Sequence, residues 1–180
     1  MYFCSMKNIA RDSRKEEEVI RPVDRYFEEL DKTFAQGNTG LYSIFLALAF
    51  FGIMGLIWMI PFPQFDFLVR MNAHTFLNWG SIFIGIVIYL YLKLAATLSY
   101  AALFSISIMS FFIVQLEYVE RDGGPTVILV CSIIALLSVV VLYVMSKREK
   151  SVSGLDFAKL LSIGPIWMWS KVYNKFKIKY

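Results

Sequence analysis

Four long stretches of this chain carry no ionisable Asp, Glu, Lys, Arg or His: residues 41–60, 76–92, 94–116 and 125–145. At 1.5 Å of rise per residue, about twenty helical residues cross the ~30 Å hydrocarbon layer of a bilayer. Inside that layer every backbone polar group must be satisfied within the protein, which leaves helices or closed barrels. The chain is therefore expected to be an all-α integral membrane protein with four transmembrane helices. Composition agrees: 58% of the 180 residues are apolar and 18% charged, with mean hydropathy +0.59. Soluble domains carry about 45–50% and ~25%. Gly123-Gly124 breaks the chain before the fourth span, and Pro125 suits a first helical turn. Lys93 is the only charge between spans two and three, so the turn there must be tight.

Lys and Arg set the orientation. Residues 1–40 hold seven, Lys93 marks the tight turn, and the chain after Met145 holds eight. Across the other ends of the spans lie only Arg70 and Arg121. Sixteen against two places both termini in the cytoplasm, in a membrane such as the bacterial cytoplasmic membrane. Before Lys7 there is no apolar run of signal-peptide length, so the spans themselves are expected to direct insertion.

The chain divides into a leader (1–40), the four-span bundle (41–145) and a basic tail (146–180). In the leader, Ile20, Val23, Phe27, Leu30 and Phe34 recur at helical spacing, Pro22 suits a helix start and Gly37-Asn38 a stop. An N-terminal amphipathic helix is expected there. In the tail, Lys171, Lys175 and Lys179 form an i,i+4 stripe suited to lipid headgroups, with Val172, Tyr173, Phe176 and Tyr180 on another face. Trp167 and Trp169 fit an interfacial aromatic belt. Residues 155–170, interrupted by Lys159 and Gly164-Pro165, are expected to be interfacial or re-entrant rather than a fifth span.

Little here supports polar chemistry. Intramembrane charges mark proton relays and ion pathways, and the spans have none, which argues against a pump, coupled transporter or voltage sensor. The third span carries Thr97, Ser99, Ser105, Ser107, Ser110 and Gln115 beside Ala95, Ala101 and Ala102. Small residues of this kind let helices approach closely, within the chain or in a homo-oligomer; a polar pore lining is the alternative. Gly52, Gly55, Gly80 and Gly85 read the same way. His74, the only histidine, falls in the first loop with Asp66; Glu117, Glu120 and Asp122 share its side of the membrane. A facial iron triad needs two His, so a solvated loop is the simpler expectation and no metal ligand set is assigned. Cys4 and Cys131 sit too differently to form a disulfide, and three Cys/His in all are too few for a structural zinc. Glycines form no phosphate-binding fingerprint, and the net charge of +4 belongs to the membrane surface; nucleic acid is not an expected partner.

The order of several short pieces carries a resemblance. A leader ends in Gly37-Asn38; the first span ends Gly55-Leu56-Ile57-Trp58-Met59-Ile60-Pro61; Leu77-Asn78-Trp79-Gly80 opens the second; Tyr89-Leu90-Tyr91-Leu92-Lys93-Leu94 makes the tight turn. Near the end come Leu160-Leu161-Ser162-Ile163-Gly164-Pro165-Ile166-Trp167 and Ile178-Lys179-Tyr180. From about Val23 to Tyr180 this resembles the Mpo-type family of small four-span membrane proteins, whose fungal members are iron-dependent 2-hydroxy fatty acid dioxygenases. The family carries histidines around an Asn-Pro-x-Asn-Lys stretch before span one and in a Gly-His-Lys after span four. Here Asn38 matches the second Asn, while the histidine positions fall near Thr33, on Tyr42, and at Met145 or Ser146 beside Lys147. Gly164 and Pro165 match the C-terminal run.

Iron that activates O₂ needs imidazole or comparable ligands, and Thr33, Tyr42 and Ser146 do not replace three imidazoles. The resemblance thus implies the family architecture without its iron-dependent activity, and no cofactor is expected. Three functions remain open. The first is a non-catalytic membrane protein binding a lipid or fatty acyl group at its cytoplasmic face, between spans one and four. The second is a lipid-oxidising enzyme with an altered metal site, which would require iron. The third is an oligomeric channel or small transporter.

Overall fold

The computed structural model describes residues 22–34, 38–63, 77–149 and 153–177. Among them are six helices and no strand: α1 (Pro22–Phe34), α2 (Thr39–Trp58), α3 (Trp79–Leu94), α4 (Ala96–Arg121), α5 (Val127–Glu149) and α6 (Gly154–Lys175). Helices α2, α4 and α5 are long and apolar enough to cross a membrane. Helix α3 is apolar but has 16 residues, about 24 Å of rise, so the second expected span is shorter than its charge-free block. Asn78 fixes where it begins. Its side chain accepts from Ser81 N at 2.7 Å, and Ser81 Oγ accepts from Asn78 N at 3.0 Å, a reciprocal cap that satisfies two otherwise orphaned donors.

The connections follow from local chemistry. Between α3 and α4 a single residue, Ala95, is extended (φ −157, ψ 100). Its N–H donates to Tyr91 O at 2.9 Å and its carbonyl accepts from Ser99 N at 3.0 Å, so one residue ends one helix and starts the next. The tight turn expected at Lys93 is therefore at Ala95, and Lys93 is still helical. Between α4 and α5, Gly123 adopts φ +88, the left-handed region that glycine enters without a Cβ penalty. Pro125 lies before α5 instead of inside its first turn. At the start of α5, Thr126 Oγ1 accepts from Leu129 N at 3.4 Å, and Glu120 Oε2 satisfies a further end donor by accepting from Val127 N at 2.9 Å.

The buried residues form two stacked clusters. One gathers Tyr42 and Leu46 of α2, Tyr91 of α3, Leu98 and Ala102 of α4 and Leu142 of α5. The other holds Phe50 and Met54 of α2, Ile106 and Ile113 of α4, and Val127 and Cys131 of α5. The first half of α2, the end of α3, the first half of α4 and the end of α5 thus share one end of an up-and-down bundle. The same cluster contains Val23, Phe27, Leu30 and Phe34 of α1 and Leu160, Ile166 and Trp167 of α6. Leader and tail helices are packed into the bundle end as part of one core. The helical spacing read for Val23, Phe27, Leu30 and Phe34 is the buried face of α1; Ile20 lies outside the described residues.

Helices α2 and α5 make the closest approach. A Cβ on Gly52 would stand 2.8 Å from Ala135 Cβ, Ala135 N and Cys131 O, and one on Gly55 would fall on Cys131 Sγ. Glycine here lets backbones meet, the usual role of small residues between membrane helices. Gly80 plays a similar part against Trp58, whereas Gly85 faces open space. Large apolar side chains on the outer faces, such as Phe104, Phe111, Leu136 and Leu137, are exposed, as lipid-facing residues are.

Two expectations for the tail require correction. Helix α6 runs unbroken from Gly154 to Lys175 with Pro165 inside it, so Gly164-Pro165 does not interrupt it. Gly164 is the point where Leu46 of α2 packs against α6, since a Cβ there would fall on the leucine side chain. Trp167 is fully buried, not in an aromatic belt. Its Nε1 donates to Asp31 Oδ1 of α1 at 2.8 Å, a bond that a buried indole N–H needs.

Candidate functional site

The positions singled out by the resemblance lie at the bundle end closed by α1 and α6, each in a structural role. Asn38 caps α2, its Oδ1 accepting from Gly40 N at 3.2 Å. Thr33 Oγ1 donates to Glu29 O at 2.8 Å. Tyr42 is buried, with its ring edge-on to Phe34 at 5.9 Å. Ser146 is buried and its Oγ donates to Tyr143 O at 2.9 Å. Gly164 and Pro165 shape the contact of α6 with α2. Among the described residues no group of three or more His, Cys, Asp or Glu is placed to hold a metal ion; His74 and Asp66 lie outside them. Hydroxyls bound to backbone carbonyls and a phenol set among apolar side chains are a poor donor set for iron.

The tail lysines have different surroundings. Lys171 pairs with Asp31 and lies over the Trp167 ring, 5.6 Å from its centroid. One carboxylate of α1 therefore holds both an indole N–H and an ammonium of α6. Lys159 pairs with Glu29 at 2.9 Å, and the hydrogen bond and charge of Glu29 push its pKa up. Lys175 ends α6 and is exposed; Lys179 lies outside the described residues.

No space for an acyl chain exists between spans one and four at the level of Gly52 and Gly55, where the backbones touch. The available volume lies beside that contact, toward α4. A cavity of about 460 Å³ is walled by α2, α4 and α5, with Phe51, Met109 and Leu116 among its lining. A second, of about 270 Å³, is walled by α2, α3, α4 and α6, with Phe50, Pro165 and Trp169 among its lining. Ala47 and Met109 line both, so the two abut as one groove. Ligand sites commonly run about 300–1,000 Å³. Leu48, Ile108 and Phe112 on the first cavity are exposed, so it opens sideways, where acyl chains surround a membrane helix.

The serines of α4 do not present free hydroxyls to a pore. Ser99, Ser105, Ser107 and Ser110 each donate to the carbonyl four residues earlier, at 2.7–3.1 Å. Ala95, Ser99 and Ala102 are buried within the chain itself. Ser105 also accepts from Trp169 Nε1 of α6 at 3.0 Å. Tyr91 OH of α3 donates to Ser162 O at 2.8 Å, beside the point where Pro165 lacks an N–H for the α6 ladder. These contacts place Tyr91, Ser105 and Trp169 together in the second cavity. Sequence reading noted each of the three in a separate setting. Nothing in their spacing, 14 and 64 residues apart, announces that they meet.

No family model, no curated protein and no solved structure matches the chain.

Proposed function

We propose that the protein is a four-crossing membrane protein, with both flanks cytoplasmic, that holds the apolar chain of a lipid or fatty acyl group between α2 and α4. The observation that carries this reading is the groove itself: among the described residues its lining includes no charged side chain, and it opens sideways beside helices long enough to cross a bilayer. Support for four crossings comes from the up-and-down order of α2 to α5. Tilting of neighbours and local thinning of the bilayer accommodate a short span such as α3 at modest cost. The surplus of Lys and Arg at the bundle end closed by α1 and α6 supports a cytoplasmic address for that end, in a membrane such as the bacterial cytoplasmic one. The resemblance to the Mpo-type family supplies the lipid class, while the donor set at its histidine positions favours binding without iron-dependent oxidation.

Native mass spectrometry of protein purified in mild detergent tests the reading. A copurifying acyl species near one per chain is expected, and Ala47→Phe, which fills the junction of the two cavities, should remove it. A spectrum without bound lipid, unchanged by that substitution, would overturn it. A C-terminal reporter active only outside the cytoplasm would overturn the orientation.

A further inference from the structure

The groove also states what kind of polar end its occupant carries. Four polar side chains line it. Gln115 is exposed on the first cavity; Tyr91, Ser105 and Trp169 line the second. In the second cavity every side-chain proton is already committed. Tyr91 OH is donated to Ser162 O, Ser105 OH to Ala101 O, and Trp169 N–H to Ser105 Oγ. What remains is acceptor capacity. A hydroxyl oxygen has two lone pairs, and the indole N–H fills only one of Ser105's; the Tyr91 phenol oxygen likewise can still accept. A wall with spare acceptors and no spare donor is complementary to a ligand that brings a proton.

The wall also excludes charge. Among the described residues no Lys, Arg or His lines either cavity, and an unpaired carboxylate or phosphate in such surroundings pays its full desolvation cost. A carboxylate fails a second time, because it is acceptor-only. In the second cavity an ester or ketone carbonyl fails for the same reason.

Resting on the acyl-groove reading above, we infer that the groove takes a single-chain amphiphile whose polar end is an uncharged hydroxyl donor. A long-chain alcohol has this chemistry. The chain lies along Phe51, Met109 and Leu116, and the hydroxyl donates to Ser105 Oγ or Tyr91 Oη in the second cavity.

Three probes of equal length test this on the full chain in delipidated micelles: octadecanol, octadecanoate and octadecane, each brominated at mid-chain so that binding quenches Trp169. The pH is held where the acid is ionised. The alcohol is expected to bind about tenfold more tightly than either competitor, the upper end of what one net hydrogen bond gives. Ser105→Ala and Tyr91→Phe should each erode that preference, read as the ratio of alcohol to octadecane affinity within each variant, and measurable octadecane binding certifies that the variant folds. Ser107→Ala, which lies off the groove, should change nothing. Equal binding of all three probes, or a preference for the carboxylate, would overturn the hydroxyl inference and leave the acyl groove standing. Failure of all three to bind would remove both.

Discussion

Replacing Gly52 by Ala places a methyl group 2.8 Å from three atoms of α5, of which two, Ala135 N and Cys131 O, are backbone. Backbone atoms cannot rotate away, so α2 and α5 must part by about 0.6 Å to reach the 3.4 Å at which ordinary contact begins. A gap of that order forfeits about a quarter or more of each neighbouring dispersion contact. Overpacking of this kind costs about 1–3 kcal/mol, or ~5–150-fold in the folded-to-unfolded ratio. Gly85→Ala is the reference, because nothing lies within 4 Å of its Cβ position. Both substitutions gain the same helix propensity, about 0.5–1 kcal/mol, so the difference between them isolates the helix contact. Adding Ala135→Gly removes one of the three clashes and should recover only part of the loss. Reversible unfolding by SDS in mixed micelles measures all four proteins, and the rate at which a thiol reagent reaches Cys131 gives a second readout. If Gly52→Ala unfolds at the same SDS fraction as Gly85→Ala, the close approach of α2 and α5 is refuted.

Other perturbations act elsewhere. Asp31→Ala leaves the buried Trp167 N–H without its acceptor and should cost about 1–3 kcal/mol. Trp167→Phe carries its own cavity cost but should cost less in the Asp31→Ala background than in wild type, and a double-mutant cycle on thermal unfolding that shows no coupling would contradict the bond. Glu29 raises the Lys159 pKa above the ordinary 10.5. A raised pKa contributes stability that is present below the unfolded value and is lost as pH climbs through the folded one. Wild type and Glu29→Gln should therefore converge only on the alkaline side of 10.5, with a small, salt-sensitive difference below it because the pair is exposed. A pH-independent difference would refute the pairing. Glu120→Ala removes the cap on Val127 N and should cost about 1 kcal/mol, read by hydrogen exchange at the start of α5. Unchanged exchange there would show the cap to be unimportant.

The fold was legible where periodicity or the absence of charge carried it. Val23, Phe27, Leu30 and Phe34 announce α1 because a helix buried on one side repeats at 3.6 residues, and three charge-free blocks became α2, α4 and α5. Helix α6 was misread because Gly164-Pro165 is a breaker signal in isolation. Here tertiary contact overrides it: Leu46 occupies the space that a glycine Cβ would fill, and Tyr91 OH ties the Ser162 carbonyl of α6 to α3. Trp167 has the composition of a belt residue and the burial of a core one, a difference set by a carboxylate 136 residues away. The groove is invisible in the chain order for the same reason. Its walls come from five helices, and its acceptor character emerges only once Ser105 meets Trp169.

The bond between Asp31 and Trp167 also orders events in time. Asp31 leaves the ribosome long before its partner exists, and synthesis runs at about 5–20 residues per second. The 136 intervening residues therefore keep the apolar face of α1 waiting roughly 7–27 seconds. During that interval Val23, Phe27, Leu30 and Phe34 have no α6 to meet. A bilayer surface can shelter an apolar helical face that lacks its protein partner. The core cluster that α1 shares with α6 is completed only when the last helix has been made.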